Sequence, residues 1–156
     1  MRDLTLEIKP LEGFGEILFG FTTERVTTLL GEAEDVDNIE DDDVFNTVIL
    51  NYWEKGIAVF FEGMEKSVVS CFETDNPEAT LYGRKVFDMS EGEVIELMAG
   101  KGFKIAETEI DEETGEKRIS YDDAMIDFFY EDGALIAVNW GVLVNEKGEI
   151  EEMPSA

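Results

Sequence analysis

The sequence has 156 residues, of which 44% are hydrophobic and 11% aromatic, so it can bury a sizeable core and is not disordered by composition. Its 38 acidic and 12 basic residues give a formal net charge of −26. A surface of that sign repels nucleic-acid phosphates and anionic lipid, which excludes both as expected partners. The charge fits three interpretations. It can serve solubility, it can attract a basic protein partner, as in proteins that mimic DNA, or it can reflect weak binding of divalent ions or adaptation to salt.

Features of targeting and of an oxidising compartment are missing from the sequence. Cys71 is the only cysteine, so no disulfide can form within the chain. The N-terminal stretch MRDLTLEIKP has neither the apolar region of a signal peptide nor a lipid-attachment cysteine, and no run of about 18 apolar residues occurs. We therefore expect a cytoplasmic protein that does not enter a membrane.

The chain begins with an alternating stretch and continues with a pattern that occurs twice. Residues 3 to 9 alternate Leu4, Leu6 and Ile8 with polar residues, which predicts a half-buried strand that ends at Pro10. The stretch FGEILFGFTTERVTTLLG, residues 14 to 31, is then echoed by YGRKVFDMSEGEVIELMA, residues 82 to 99. Each copy predicts an extended segment followed by a short helix.

Both predicted helices have recognisable ends. Thr22 and Ser90 are the expected N-caps, because a hydroxyl there can accept a hydrogen bond from an amide of the first turn. Ser90 and Glu93 also have the spacing of a capping box. Gly31 and Gly100 are expected to end the helices. The residues expected on the buried side of the two helices are Val26, Leu30, Val94 and Met98.

An acid-rich stretch and three strand-like runs follow each predicted helix. Residues 34 to 43 are mostly acids without any period, so we expect an exposed, mobile loop there. Residues 107 to 116 form the matching stretch, in which Gly115 is expected to turn a hairpin. The predicted strands are residues 47–53, 56–62 and 67–73 in the first half, and 118–122, 125–130 and 134–142 in the second.

These elements predict an α+β protein built as a tandem repeat of one helix and a three-stranded antiparallel meander. The two repeats, approximately residues 11–77 and 79–145, are expected to lie within a single domain that spans residues 1–156. Together they should form one larger sheet with the helices on one face. The short tail from Met153 to Ala156 is expected to fray.

The two-residue period of the strands separates a core face from an opposite face. Acids, amides and large aromatics mix on the opposite face, and aromatics on a wet face are typical of interfaces. The alternative is that Phe60 and Phe129 pack against each other or against the N-terminal strand. The predicted core residues are Ile57, Val59, Phe61, Val68, Phe72, Ile126, Phe128, Tyr130, Ile136 and Trp140. The predicted protein-binding residues are Trp53, Phe60 and Phe129 as anchors, with Glu62, Asp127 and Glu131 as a charged rim.

Signatures of catalysis are weak in this sequence. It contains no histidine, no P-loop, no dinucleotide-binding motif and no GxSxG motif. Carboxylate pairs such as Asp122 and Asp127 exist, but a sequence does not show the burial that raises a catalytic pKa. Residues 35 to 38 superficially resemble a calcium loop without its glycine and its terminal glutamate. We therefore predict no catalytic residues, no cofactor and no metal.

One stretch of the first half resembles a known family signature. The segment GFTTERVTTLLGE, with Gly20, Thr22, Val26 and the Leu30-Gly31 pair, resembles the G-x-[ST]-x-x-x-V-x-x-x-L-G-x-P pattern of small bacterial domains of the BamE/SmpA type and of the β-lactamase-inhibitor-protein-like (BLIP-like) group. It departs from the pattern at Ala33, where those families favour proline. The resemblance implies a tandem fold whose broad, often concave sheet surface grips another protein.

These features together predict a non-enzymatic protein-binding module, of the inhibitor or immunity type, that uses an acidic sheet surface against a basic protein. Two alternatives stay open. The first is a small-ligand-binding or enzymatic domain with a carboxylate-lined site between the two repeats. The second is a structural domain in which the same aromatics form a homodimer interface.

Overall fold

The computed structural model describes residues 6–40, 46–62, 67–143 and 150. Two helices, α1 (Thr23–Leu30) and α2 (Glu91–Gly100), and a 3₁₀ turn at Val86–Asp88 accompany the strands. The strands are β1 (Glu7–Lys9), β2 (Gly13–Phe14), β3 (Ile17–Leu18), β4 (Asp35–Glu40), β5 (Asn46–Tyr52), β6 (Ile57–Glu62), β7 (Val68–Thr74), β8 (Thr80–Leu81), β9 (Arg84–Lys85), β10 (Glu107–Ile110), β11 (Lys117–Tyr121), β12 (Ile126–Glu131) and β13 (Ala134–Gly141).

The predicted fold class is wrong. The protein is mostly β, with 46% strand and 17% helix, and its strands form one sheet of eight and one of five rather than an α+β repeat of a helix and three strands. Acid-rich residues account for part of the error, because β4 occupies a stretch whose composition indicated a loop, whereas β10 is the first strand of the hairpin that Gly115 was expected to turn. Both strands lie at edges of the large sheet and pair on one side only, so neither needs an apolar face.

The large sheet has the strand order β10-β11-β12-β13-β7-β6-β5-β4, and every neighbouring pair is antiparallel. An approximate two-fold axis between β7 and β13 relates its halves. Glu73 pairs with Asn139 there, and the flanking pairs Val138–Thr74 and Trp140–Phe72 mirror one another. The register breaks at the same place in both halves, after Phe60 and after Phe129.

That break explains one error in the predicted core. Ile136 is among the predicted core residues, but it is 37% exposed. Phe129 pairs with Ala137 and Tyr130 with Leu135, so Ile136 is the extra residue of a bulge and points away from the core. The other predicted core residues of the strands and helices are buried, as expected.

The small sheet, in the order β3-β2-β1-β8-β9, packs with both helices on one face of the large sheet. The Phe14 ring contacts Phe72 and Trp140 edge-on, with ring centroids 5.8 and 5.0 Å away. The indole nitrogen of Trp140 donates a hydrogen bond to the Gly13 carbonyl at 2.9 Å. Because β1 pairs with both β2 and β8, it joins the two hairpins of the small sheet.

The helix ends follow the predicted chemistry closely. The Thr22 hydroxyl accepts a hydrogen bond from the Arg25 amide, and Ser90 and Glu93 form the capping box. Gly31 caps α1 with φ of 85°, whereas α2 includes Gly100 and is capped by Lys101. Gly115 turns the hairpin between β10 and β11 with φ of 76°, as predicted. The predicted first strand is confirmed by β1, which ends just before Pro10, although residues 3–5 of that prediction lie outside the described residues. The predicted connection at residues 63–66 and the frayed tail also lie outside them.

Two equivalent tyrosines differ in how their hydroxyls are satisfied. Tyr52 pairs with Ile57 as Tyr121 pairs with Ile126, and both tyrosines are buried. The Tyr52 hydroxyl donates to the Gly31 carbonyl at 2.9 Å. Near the end of α2, the Ala99 carbonyl instead accepts from the backbone amides of Lys101 and Gly102. The buried Tyr121 hydroxyl has no hydrogen-bond partner among the described groups.

Tyr52→Phe should therefore lower the free energy of unfolding by about 1–2 kcal/mol, because the Gly31 carbonyl loses its donor. Tyr121→Phe is the matched control and should be neutral or stabilising, since it removes a buried hydroxyl without a partner. Urea unfolding of the two variants measures the difference. Equal losses in both variants would contradict this account of the two tyrosines.

Candidate functional site

The large sheet leaves uncovered, among the described residues, the face opposite the helices and the small sheet. We call it the open face. One row of directly paired residues crosses all eight strands on this face, so its chemistry can be followed from edge to edge. The row consists of Asp35, Asn51, Ala58, Glu73, Asn139, Asp127, Ser120 and Glu107.

Negative charge dominates the open face. Its acidic strand residues are Asp35, Asp37, Glu62, Glu73, Glu107, Glu109, Asp127 and Glu131. Arg118 is the one basic residue in the described strands of this face, and its guanidinium contacts Glu109 at 2.5 Å and Glu107 at 3.6 Å. The excess of carboxylates makes the face electrostatically suited to a cationic ligand.

Three half-buried side chains meet at the centre of the open face. The Cys71 thiol donates a hydrogen bond to the amide oxygen of Asn139 at 3.3 Å. Burial raises the pKa of the Glu73 carboxyl, a hydrogen bond from Asn139 partly lowers it, and the charge of Asp75 raises it further. Asn139 therefore bridges Cys71 and Glu73, and it fixes both at the two-fold axis of the sheet.

The central thiol is not a poised nucleophile. Burial raises the pKa of Cys71 to about 12, and the charges of Glu73, Glu62 and Asp127 contribute to the increase. A thiol reacts as its thiolate, so the raised pKa disfavours reaction of Cys71 near neutral pH. The neighbouring Ser70 hydroxyl donates to the Glu62 carboxylate at 2.6 Å, but Ser70 is only 1% exposed and presents no reactive oxygen to solvent.

Two depressions lie on either side of this centre. One measures about 480 Å³ and the other about 220 Å³. Residues lining the larger one include Glu62, Cys71, Asp122, Met125, Asp127 and Asn139. Residues lining the smaller one include Trp53, Ala58, Glu73, Asp75, Ile136 and Ala137. A third depression of about 370 Å³ lies at the β10 edge around Arg118 and Phe129.

All six residues predicted for protein binding lie on the open face or at its rim, but they do not form one cluster. Glu62 and Asp127 line the 480 Å³ depression together. Trp53 is 67% exposed in the turn after β5 and lines the 220 Å³ depression. Phe60 and Phe129 are half-buried on strands three positions apart, roughly 14 Å. Glu131 is exposed at the end of β12.

Some site residues could not be found from the sequence. Ser70 reaches Glu62 because of the bulge after Phe60, and no residue pattern marked that bulge. The sequence does not distinguish Glu73 from the other acidic residues, because only the register of β7 against β13 places it beside Asn139. Asp122 and Asp127, which the sequence allowed as a pair, do line one depression. Carboxylate abundance hid the significance of each of these positions.

The described residues offer no group of three or more histidine, cysteine, aspartate or glutamate side chains that could hold a metal ion. In the described ranges, no helix has the length and the apolar character that crossing a bilayer requires. Comparison with protein-family models, with curated proteins and with solved structures gives no match. The candidate site is therefore defined by the geometry of its own residues and not by similarity to a known protein.

Glu73→Gln should raise the free energy of unfolding near pH 7, because burial raises the pKa of Glu73 above its ordinary 4.5 and the folded state prefers the neutral form. The contribution of Glu73 is fully favourable below that ordinary pKa and is lost as pH rises through the folded pKa. Wild type and variant should therefore differ little at about pH 4 and diverge toward neutrality. Urea unfolding at both pH values tests this.

Glu131→Gln is the matched control for that variant, because Glu131 is exposed on the same face and should affect stability little. If Glu73→Gln raised the free energy of unfolding as much at about pH 4 as at neutral pH, ionisation of Glu73 would not be the cause of the gain.

Cys71 in the native protein should resist alkylation by iodoacetamide at about pH 8, with a rate more than about a hundredfold below that in urea. Burial and the surrounding carboxylates suppress the thiolate only while the sheet is folded. Mass spectrometry of labelled protein with and without urea measures the ratio. Similar rates in the two conditions would show that the thiol is accessible and ionised in the native state.

Proposed function

We propose that this protein is a non-enzymatic protein-binding module, of the inhibitor or immunity type, whose open face binds a basic protein partner. The observation that carries the proposal is the open face itself: a sheet surface of eight strands, acidic from edge to edge, with the exposed indole of Trp53 beside it. Carboxylates around an aromatic residue are suited to a cationic protein surface, because charge speeds encounter and the aromatic anchors the complex.

Shape and charge distribution support a protein rather than a small molecule as the ligand. The depressions on the open face are shallow features of a wide surface, and aromatic residues are spread across three of its regions. A small-molecule site usually concentrates its apolar lining in one pocket. Within this proposal the protein acts in the cytoplasm, and its signature GFTTERVTTLLGE reflects a distant relationship to the BamE/SmpA and BLIP-like groups.

A second candidate function is the binding of a small cationic ligand. The 480 Å³ depression favours it, because this depression lies at the junction of the two halves of the sheet and is lined by Glu62, Asp122 and Asp127. A homodimer through the open face is a weaker candidate, because two copies would oppose like charges. Light scattering at two protein concentrations separates the homodimer from the other two.

Asp127→Lys should weaken capture of the partner by at least about tenfold, because it places a cation at the middle of the acidic row. Glu96→Lys is the matched control: Glu96 is exposed on α2, on the other side of the sheet, and the change in net charge is the same. The immobilised wild type and both variants are incubated with lysate of the source cells, and retained proteins are quantified by mass spectrometry.

A basic protein that is retained by wild type and by Glu96→Lys but lost with Asp127→Lys supports the open face as the binding surface. Retention by all three proteins, or equal loss with both variants, contradicts it. If the wild type retained the same amount of the basic protein at low and at high salt concentration, the charge-based part of the proposal would also be contradicted.

A further inference from the structure

We propose that the 220 Å³ depression binds one arginine side chain of the basic partner, with the guanidinium between the Trp53 indole and the carboxylates of Glu73 and Asp75. This inference rests on the proposed function and adds to it the type of residue that the open face recognises. Strands β5, β6 and β7 and the turns at their ends build the depression.

Small residues of β6 and of the turn before it form the floor of the depression. Ala58 is one of them, and Gly56, two residues earlier, is the other. A β-carbon at Gly56 would meet a carboxylate oxygen of Asp75 at 2.5 Å. The Asp75 carboxylate therefore lies over Gly56, and any larger residue at this position would push into the depression.

Side chains of β5 and β7 stand on either side of this floor. Asn51 and Glu73 are the direct neighbours of Ala58 in the row that crosses the sheet. Trp53 and Asp75 follow them two residues further along and line the same depression. One wall thus presents an indole and an amide, and the other presents two carboxylates. The backbones of the two walls are two strand spacings apart, roughly 10 Å, which leaves room for one planar cation between the side chains.

The turn that carries the exposed indole is fixed to the end of β7 by hydrogen bonds. The Gly56 carbonyl accepts from the Thr74 hydroxyl at 2.7 Å and from the Asp75 amide at 3.1 Å. The side-chain amide of Asn76 donates to the Lys55 carbonyl at 2.8 Å. Because the backbone of the turn is already ordered, it adds little to the entropy that is lost when a ligand binds.

The two carboxylates of the depression have no cation of their own in the described part of the chain. No described basic residue forms an ion pair with Glu73 or Asp75. Lys55, the basic residue of the adjoining turn, lies instead over the buried Tyr52 ring, with its nitrogen 5.9 Å from the ring centroid. Burial raises the pKa of Glu73, so its carboxylate gains more from an added cation than an exposed carboxylate would.

Arginine fits this combination of groups better than lysine does. Its planar guanidinium can stack on an aromatic ring through its face while it donates to carboxylates through its edge. The ammonium of lysine is compact and strongly hydrated, and it cannot make both contacts in this way. Ile136 and Ala137 also line the depression and give the aliphatic part of the arginine side chain an apolar support.

The other two depressions of the open face each lack one part of this combination. The 480 Å³ depression has carboxylates, but Tyr121, the aromatic among its described lining residues, is buried and offers no ring face for stacking. The 370 Å³ depression has both carboxylates and the Phe129 ring, but Arg118 of the chain itself already contacts Glu109 there. An incoming arginine therefore finds an exposed ring and unpaired carboxylates together at Trp53.

The test titrates the isotope-labelled full chain with N-acetyl-arginine amide and follows its resonances by NMR. The neutral isostere N-acetyl-citrulline amide and N-acetyl-lysine amide are the comparison probes. The arginine probe should shift the Trp53 indole resonance and the amides of Gly56 and Ala58, and the citrulline probe should bind at least about tenfold more weakly. Equal shifts with both probes, or no shift of the indole with either, overturn the arginine site. A lysine probe that binds as tightly as the arginine probe overturns the choice of arginine.

Two substitutions at exposed positions test the two walls separately. Trp53→Leu keeps an apolar side chain but removes the ring face, and Asp75→Asn removes one carboxylate, so each should weaken binding of the arginine probe by at least about fivefold. Asp122→Asn is the matched control, because it removes the same charge from an exposed turn at the larger depression and should leave binding unchanged. Equal losses in Asp75→Asn and Asp122→Asn overturn the site.

The lysate capture experiment separates failure of this site from failure of the proposed function. Loss of the basic partner with Trp53→Leu supports the arginine site. A partner that is retained by Trp53→Leu but lost with Asp127→Lys overturns the arginine site and leaves binding by the open face intact. A partner that is retained by Asp127→Lys contradicts the proposed function itself.

Discussion

The pairing of β7 with β13 is the constraint on which the rest of the structure depends. It joins the two halves into one sheet, and it brings Phe72 and Trp140 into a stacked contact with ring centroids 5.5 Å apart. Close approach here requires a glycine at position 141, where a β-carbon would meet the Ser70 carbonyl at 2.6 Å. Phe14 then closes over the stacked rings, and the buried indole of Trp140 is satisfied by Gly13.

The same pairing creates the surface that we propose as functional. Alternation along β7 and β13 buries Phe72 and Trp140 on one side and turns Glu73, Asn139 and Cys71 to the other. Glu73 and Asn139 become direct neighbours only because the halves meet in this register. Burial of a carboxyl at the junction is costly at neutral pH, and the hydrogen bond from Asn139 offsets part of that cost. The site thus trades some stability for a defined polar centre.

The sequence predicted those parts of the structure that local chemistry determines. Hydroxyls at Thr22 and Ser90 cap the helices as expected, and the two-residue period separated the buried and uncovered faces of β6 and β12 correctly. The errors arise where a distant partner decides the outcome. An edge strand such as β4 is held by backbone pairing to β5, so its acidic side chains carried no signal of a strand.

Bulges and long-range contacts limited the prediction of the candidate site in the same way. Ile136 changes faces because one extra residue is inserted opposite Phe129 and Tyr130, which strict alternation does not anticipate. The parallel contact between Ile8 and Leu81 likewise joins segments far apart in the chain and has no local pattern. Trp53 and Asp127 were recognisable as surface residues, but their places in two equivalent depressions depend on the pairing at the two-fold axis.

Carboxylates on the open face and at the two edges of the large sheet have the same physical effect, because they repel another copy of the chain. Glu107 and Glu109 on β10, and Asp35 and Asp37 on β4, line the two free edges of the large sheet with like charges. Pairing of such an edge with the same edge of another copy would bring carboxylates together, so the charge opposes self-association. A basic partner removes that repulsion on binding instead of adding to it. The net charge of −26 therefore opposes the binding of a second copy of this chain to the open face.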